Sequence, residues 1–210
     1  MKKLVLPRKD AIILTAIEII DELGLQALST KELAARQNIA ESALYRHFKS
    51  KDAIIIAMLH YFAKFDKAII NSARKLDVSA KDRILFCVTG FVEYYENFPS
   101  ITALLFFYEV LRRYNKEIQA EVEGIFYDRF QSIADIVATG QKNGELSTDY
   151  APDEYADIIL GTCRETILRW RLGGYNFALK NKVLSVLERW LTAVELDKVD
   201  FEPYWLTRTD

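Results

Sequence analysis

Histidine and cysteine are scarce in this chain of 210 residues, which contains two of each. The patterns HExxH and CxxC are absent, so we do not expect a zinc site. Cys87 and Cys163 lie far apart within apolar helical patterns, and no apolar secretory segment precedes them. We therefore expect reduced thiols and a cytoplasmic location. A glycine-rich phosphate loop is also absent, and no cofactor is expected.

Long hydrophobic runs are missing as well. The longest, Ala53 to Leu59, is interrupted by His60 and Lys64 well short of a membrane span. Candidate bases at neutral pH are limited to His47, which lies in the motif described below, and His60, which has no nucleophile nearby in the sequence. These absences argue against a membrane protein and against an enzyme.

The charge is distributed unevenly along the chain. The first 51 residues hold nine Lys/Arg and six Asp/Glu, whereas the remaining residues hold 19 and 24, for a net charge of −2 overall. A basic end attracts DNA phosphates, and an acidic body is repelled by them. The amino-terminal end is therefore the part of the chain suited to contact with a polyanion such as DNA.

Residues 28–51, LSTKELAARQNIAESALYRHFKSK, encode two short helices joined by a tight turn. Ser29 and Glu32 have the spacing of a capping box, which starts the first helix. The second helix starts near residue 40 and carries Leu44 and Phe48 inward, four residues apart. Its remaining face is polar and exposed, as a major groove requires. The segment is therefore predicted to form a helix-turn-helix.

The same residues resemble the TetR-family signature in order and spacing. The matching positions are Arg8, the helix AIILTAIEIIDELG, Leu28-Ser29, Glu32-Leu33-Ala34, Ile39 and above all Leu44-Tyr45-Arg46-His47-Phe48-Lys49-Ser50-Lys51. The strong match covers about the first quarter of the chain. Two positions differ from the family pattern: Asn38 replaces the usual Gly of the turn, and Ser42 replaces a frequent Gly or Pro. Asn tolerates positive φ, so the turn is expected to form. Ser42, in contrast, leaves it undetermined which bases the second helix contacts.

The resemblance implies two kinds of DNA contact. Phosphate binding is assigned to the group Thr30, Tyr45, His47 and Lys51, and base reading to the group Lys31, Glu41, Ser42, Ala43 and Arg46. Alternatives remain for three of them. Tyr45 could be a half-buried core ring, His47 a surface or capping residue, and Glu41 a carboxylate favoured by the helix dipole.

Beyond residue 51 the sequence has helical periodicity throughout, so we expect an all-α fold of about nine helices. A three-helix DNA-binding domain, residues 1–50, would precede a larger effector-binding and dimerisation domain, residues 51–210. A fourth helix capped by Ser50 would form one rod of about 20 residues and transmit movement to the DNA head. The later helices are expected at 80–97, 99–113, 116–142, 152–172 and 178–196.

The last two of these helices carry wide apolar faces, which we expect to pair with a second copy of the chain as a two-fold four-helix bundle. Their members are Tyr155, Ile159, Thr162, Cys163, Ile167 and Trp170 on one helix and Leu184, Leu187, Trp190, Leu191 and Val194 on the other. One body would not easily cover both faces. The alternative is a purely internal core, although the TetR resemblance also implies a dimer.

Aromatic residues crowd the middle of the chain, and most of them are expected to be core. Hydroxyl and thiol groups share their faces, which is typical of a small-molecule site. The resemblance also implies an effector pocket among these helices. The candidate lining is Phe62, Phe65, Phe91, Tyr95, Phe107, Tyr127, Phe130 and Cys163. Arg164 and Glu165 either contact a polar effector or form a solvated pair or dimer contact.

These features predict a homodimeric, ligand-responsive repressor that binds a palindromic operator in double-stranded DNA and is released by a small-molecule effector. Repression itself is implied by the resemblance. One alternative is a DNA-associated structural or division-control protein on the same fold, whose body would have no cavity. An enzyme fused to a DNA-binding head ranks last.

Overall fold

The computed structural model describes residues 6–196, which form ten α-helices and two short 3-10 turns, Leu25–Ala27 and Pro99–Ala103. The expected all-α fold is confirmed. None of the helices in the described range is long and apolar enough to span a membrane. The α-helices are α1 (Arg8–Leu23), α2 (Thr30–Arg36), α3 (Glu41–Leu44), α4 (Lys51–Phe62), α5 (Asp66–Lys75), α6 (Ala80–Asn97), α7 (Leu104–Arg112), α8 (Lys116–Lys142), α9 (Pro152–Leu172) and α10 (Leu179–Val194).

Helices α1 to α3 make up the head, which is predicted to bind DNA. The Glu32 amide donates to the Ser29 hydroxyl over 3.1 Å, which caps α2 as the sequence predicts. Asn38 has a φ of 51°, the left-handed conformation expected of the turn. Leu44 and Phe48 are both buried, although α3 is only one turn long and the chain reaches Phe48 through irregular backbone.

The expected single rod after Ser50 is wrong, because the chain turns between α4 and α5. The amides of Lys64 and Asp66 donate to carbonyls three residues back, on Tyr61 and Ala63, so the α-helical ladder is interrupted. The turn allows the Asp66 carboxylate to enter the body and bind Arg129 of α8. Because apolar spacing continues across the turn, the sequence pattern does not reveal it. This division accounts for the tenth α-helix.

The later helices lie close to their predicted positions. Helices α6, α8 and α9 have the expected bounds, and the segment 99–113 is a 3-10 turn followed by α7. Pro99 occupies the first position of that turn, where its missing N–H costs no hydrogen bond.

Besides the packing of α1 on α4, two further contacts connect the head and the start of α4 to the rest of the body. Helix α1 packs on the 3-10 turn Pro99–Ala103. Arg171 of α9 forms an ion pair with Asp21 of α1 and donates to the Thr102 hydroxyl over 2.7 Å. At the second contact, the Asn115 side chain that caps α8 donates to Asp52, at the start of α4, over 2.8 Å.

The apolar faces of α9 and α10 are covered by their own subunit to a larger extent than expected. Tyr155, Ile159, Leu187 and Leu191 are fully buried in the single chain. The argument that one body cannot cover both faces is therefore wrong for these residues, because α10 packs along α6 and α9 packs along α8. An apolar remainder stays accessible on the two helices: Leu168, Leu172, Leu184, Val186 and Trp190.

Candidate DNA-binding face and body cavity

Most of the predicted DNA contacts are exposed on the head. Lys31, Glu41, Ser42, Arg46 and His47 are all exposed around α2 and α3. Tyr45 is 54% exposed, which argues against the alternative of a half-buried core ring. Thr30, Ala43 and Lys51 are half-buried.

Two of these residues are bonded to each other. The Thr30 hydroxyl donates to Oε2 of Glu41 over 2.9 Å, which links the start of α2 to the start of α3. A carboxylate accepts hydrogen bonds with both oxygens. Oε1 of Glu41 can therefore still accept from a cytosine amino group while Oε2 holds the two helices in register.

The start of α4 combines a phosphate-binding geometry with a contact to the body. The Ala53 amide donates to the Ser50 hydroxyl, and the helix amino terminus favours an anion. The Lys51 ammonium lies 5.9 Å from the centre of the Tyr114 ring, in the connection between α7 and α8. Together with the Asp52–Asn115 bond, this contact attaches the amino-terminal end of α4 to that connection.

The body contains a cavity of about 250 Å³ between α6, α7, α8 and α9. No residue of α4 or of the turn that follows it lines the cavity, so the predicted ligand residues Phe62 and Phe65 do not reach it. The wall is mainly apolar, and four charged or hydroxyl-bearing side chains interrupt it. The lining residues are Phe91, Val92, Tyr95, Leu105, Phe126, Arg129, Asp157, Leu160, Gly161, Cys163, Arg164 and Ile167.

The structure brings three of the eight predicted ligand residues, Phe91, Tyr95 and Cys163, to this cavity. Phe62 lies one layer behind them, fully buried and stacked on Tyr95 with 6.0 Å between ring centres. Phe107 is half-buried outside the lining. A ligand contact therefore stays a prediction for Phe91, Tyr95 and Cys163, whereas Phe62 and Phe107 do not line the cavity.

The remaining three predicted ligand residues lie elsewhere. Phe130 is half-buried outside the cavity, and Phe65 is exposed beside Tyr94. Tyr127 is 64% exposed and borders an open groove of about 750 Å³ between α4, α5 and α8. Helical spacing predicts that these residues lie on aromatic faces, but it does not predict which of those faces border a cavity.

A buried ionic network at the cavity was missed by the sequence reasoning. The Arg129 guanidinium donates to Oδ2 of Asp66 through Nη2 (2.7 Å) and Nε (3.1 Å), and to the Tyr95 hydroxyl through Nη1 (2.7 Å). It lies 4.8 Å from the centre of the Phe62 ring and 4.9 Å from that of Phe91. Arg129 and Asp66 are only 7% and 9% exposed. One sequence signal was available, since Arg129 interrupts the apolar face of α8 between Val122 and Ile133.

Burial determines the protonation of the neighbouring groups. It raises the pKa of Asp66, and the charge of Arg129 opposes that rise. It raises the pKa of Tyr95 to about 12 and that of Cys163 to about 12. The phenol and the thiol therefore stay protonated near neutral pH, so that Tyr95 can donate a hydrogen bond and Cys163 is a poor nucleophile.

The adjacent charged residues Arg164 and Glu165 of α9 have different surroundings. The Arg164 guanidinium lies 4.9 Å from the centre of the Tyr108 ring, whereas Glu165 pairs with Arg169 over 3.8 Å on the outside. Only the arginine of the Arg164-Glu165 pair therefore borders the cavity. Within residues 6–196 there is no group of three or more His, Cys, Asp or Glu side chains that could hold a metal ion.

Comparison with known proteins relates both regions to one family. The family model "Bacterial regulatory proteins, tetR family" matches residues 12–58, and the model "YsiA-like protein, C-terminal region" matches residues 64–193. The fatty acid metabolism regulator protein of Bacillus subtilis is 23% identical over 192 residues, covering 86% of this chain and 94% of the relative.

Solved structures share the fold. FadR from Bacillus subtilis, in complex with stearoyl-CoA, superposes with a TM-score of 0.73 at 20% identity and covers 88% of this chain and 99% of its own. The ketosteroid regulator KstR2 of Mycobacterium tuberculosis gives a TM-score of 0.79 at 18% identity, with 92% and 97% covered. The family and the matched relative are transcriptional regulators and not enzymes, as the sequence predicts. The chain therefore belongs to the TetR family of bacterial transcriptional regulators.

Proposed function

We propose that this regulator is a cytoplasmic repressor that binds a palindromic operator as a homodimer and leaves it when a small molecule occupies the body cavity. The observation that carries the proposal is the cavity itself, about 250 Å³ of mainly apolar wall with polar side chains at a few points. Ligand sites in proteins have this composition. The alternative, a DNA-associated structural or division-control protein without an effector, would have no use for such a space.

The size of the cavity supports a compact effector. Pockets for drug-sized ligands occupy about 300–1,000 Å³, and this cavity is somewhat smaller. Among the solved structures with this fold, FadR is in complex with stearoyl-CoA and KstR2 is named as a ketosteroid regulator. These names suggest a ligand with a large apolar part, whereas the cavity volume of this chain favours a smaller ligand.

The connection to DNA is proposed to run through α7. Leu105 at the start of α7 lines the cavity, and the connection after its end carries Tyr114 and Asn115. Those two residues contact Lys51 and Asp52 at the DNA-facing end of α4. A ligand that displaces α7 would therefore move the α4 terminus and alter the spacing of two heads, which must reach major grooves about 34–36 Å apart.

The proposed dimer uses the apolar remainder on α9 and α10. Leu172 is 79% exposed, and Leu168 and Trp190 are half-buried in the single chain. A second copy related by a two-fold axis would cover them in a four-helix bundle. We place the boundary between the DNA-binding and effector domains at residues 50 and 51, where α4 begins.

The test fills the cavity. An operator is first obtained by selection from randomised DNA, and its release is then measured with a panel of compact apolar compounds. Cys163→Trp should bind the operator normally and lose the response, whereas Cys163→Ala, which enlarges the cavity, should keep it. Because the first variant demands repacking, Gly161→Leu serves as a second: a Cβ at Gly161 meets no atom within 4 Å. Release of both filled variants at unchanged ligand concentration would place the effector site elsewhere.

A further inference from the structure

The side chains of Tyr95 and Arg129 carry hydrogen-bond donors that are not all used by partners within residues 6–196. A guanidinium has five N–H groups, and the contacts with Asp66 and Tyr95 use three of those of Arg129. The Tyr95 oxygen accepts one of these bonds, and its own proton has no acceptor within residues 6–196. Both side chains line the cavity.

An unpaired donor in such a place is unfavourable. Tyr95 and Arg129 are both more than nine-tenths buried, and a buried donor that lacks an acceptor loses the hydrogen bonds that water would supply. Because burial raises the pKa of the phenol to about 12, Tyr95 keeps its proton near neutral pH. The cavity therefore presents fixed donors to whatever enters it.

The charge of Arg129 is already balanced. Asp66 accepts two hydrogen bonds from the guanidinium, and the rings of Phe62 and Phe91 flank it at 4.8 and 4.9 Å. An incoming carboxylate would meet the field of Asp66 across the same guanidinium, so the attraction that an isolated arginine offers an anion is largely cancelled at Arg129. The other two charged side chains of the lining, Arg164 and Asp157, are exposed and carry opposite charges. The binding of a neutral acceptor does not depend on this attraction, so the Asp66–Arg129 pair does not weaken it.

We propose that Tyr95 and Arg129 form the polar recognition point of the cavity and that its ligand is a compact apolar molecule carrying a neutral carbonyl oxygen, as in a ketone, ester or amide. The Tyr95 hydroxyl donates to that oxygen, and a free N–H of Arg129 supports it. Asp66 is the positioning residue that neutralises and orients Arg129. The identification of this ligand as the effector rests on the proposed function, whereas its binding does not.

The test uses three probes that share one naphthalene body: 1-acetonaphthone, 1-naphthoate and 1-methylnaphthalene. Binding to the full chain is measured by titration calorimetry or by fluorescence. We expect the ketone to bind roughly 10-fold more tightly than the methyl compound, because one to two hydrogen bonds distinguish them. The carboxylate should bind more weakly than the ketone.

Tyr95→Phe removes the donor and keeps the ring, so the advantage of the ketone over the methyl compound should fall to about 3-fold or less. The neighbouring Tyr94→Phe is the matched control. The Tyr94 hydroxyl donates to the Tyr61 carbonyl over 2.9 Å, and Tyr94 does not line the cavity. Its removal should leave the preference for the ketone unchanged.

Asp66→Asn sharpens the assignment, since it leaves the charge of Arg129 unbalanced. In that variant the order of the probes should reverse, with the carboxylate ahead of the ketone. Equal binding of all three probes to the native chain, no binding of any of them, or an unchanged ketone preference in Tyr95→Phe would overturn the proposal. If the probes behave as expected but none alters operator affinity, the recognition point stands and the proposed repressor mechanism fails.

Discussion

The DNA-binding head and the body use their charged residues in opposite ways. In the head, Arg36 pairs with Glu22 and Glu32 at the surface, and most of the predicted DNA contacts are exposed. In the body, Arg129 and Asp66 pair inside the core beside a cavity. The proposed DNA contacts of the head therefore lie on an outer surface, whereas the body is suited to a ligand that enters it.

The two arrangements also differ in sequence distance. The Arg36–Glu32 contact spans one helical turn, whereas Arg129 reaches Tyr95 across 34 residues and Asp66 across 63. Local pairs form whenever the helix forms, but the buried network exists only after three body helices have packed. Exposed pairs are screened by water and salt, and a buried pair is sensitive to the loss of either member.

The largest expected effect comes from breaking the buried pair. Arg129→Met should lower the free energy of unfolding by about 3–5 kcal/mol, because it leaves the Asp66 carboxylate buried without its partner. The double variant Asp66→Leu/Arg129→Met should recover much of that loss, and Arg36→Met in the head should have little effect. Urea denaturation measures all three. Equal effects of Arg129→Met and Arg36→Met would erase the contrast between the regions.

The next effect concerns the joint between the regions. Arg171 is half-buried and bonds to Asp21 of the head and Thr102 of the body. Arg171→Met should cost about 1.5–3 kcal/mol, the usual range for hydrogen bonds to charged groups, and should weaken the coupling between ligand and operator. Denaturation and operator titration with and without ligand provide the two readings. The neighbouring Arg169→Met, on the outer face of α9, is the control that should change neither.

A smaller effect is expected on the DNA face. Arg46→Ala should relax preference at particular base pairs by roughly 1–3 kcal/mol each, whereas Lys51→Ala should weaken binding to all sequences alike and flatten its salt dependence. Selection from randomised sites at two salt concentrations separates the two. A uniform loss in Arg46→Ala, with no change in the selected sequences, would remove its base-reading role.

The smallest effect is a chemical one confined to the body. Both cysteines lie there, and burial raises the pKa of Cys87 to about 12 and that of Cys163 to about 12. Iodoacetamide at pH 8 should therefore label the native protein very slowly and the denatured protein at two sites. Rapid labelling of Cys163 in the native protein, read by mass spectrometry, would indicate a cavity more open to solvent than the structure has.

The cap, the turn and the buried residues of the head could be predicted because their determinants are local. The Ser29 cap, the left-handed Asn38 and the inward Leu44 each follow from neighbours within a few positions. In the body, the sequence signals that set the ends of the helices are equally local, and most of these ends were predicted well. The turn before Asp66 and the buried position of Arg129 were not predicted, because each depends on a partner far away in sequence.

The same reasoning explains the outcome for the aromatic and dimer faces. Period 3.6 identifies which residues share a face, but it does not say whether another helix, a cavity or a second subunit covers that face. Phe91 and Tyr95 border the cavity while Phe62 packs behind them. Leu187 is buried within the subunit, whereas Leu172 is exposed.

The central claim is that occupancy of the body cavity and binding of the operator by the head oppose each other. The most direct measurement titrates the selected operator into the protein with and without the tightest-binding carbonyl compound, and that compound into the protein with and without operator. The account predicts that both affinities fall by the same factor, typically about 5–150-fold. A ligand that binds the cavity in a Tyr95-dependent way, yet leaves operator affinity unchanged, would contradict it.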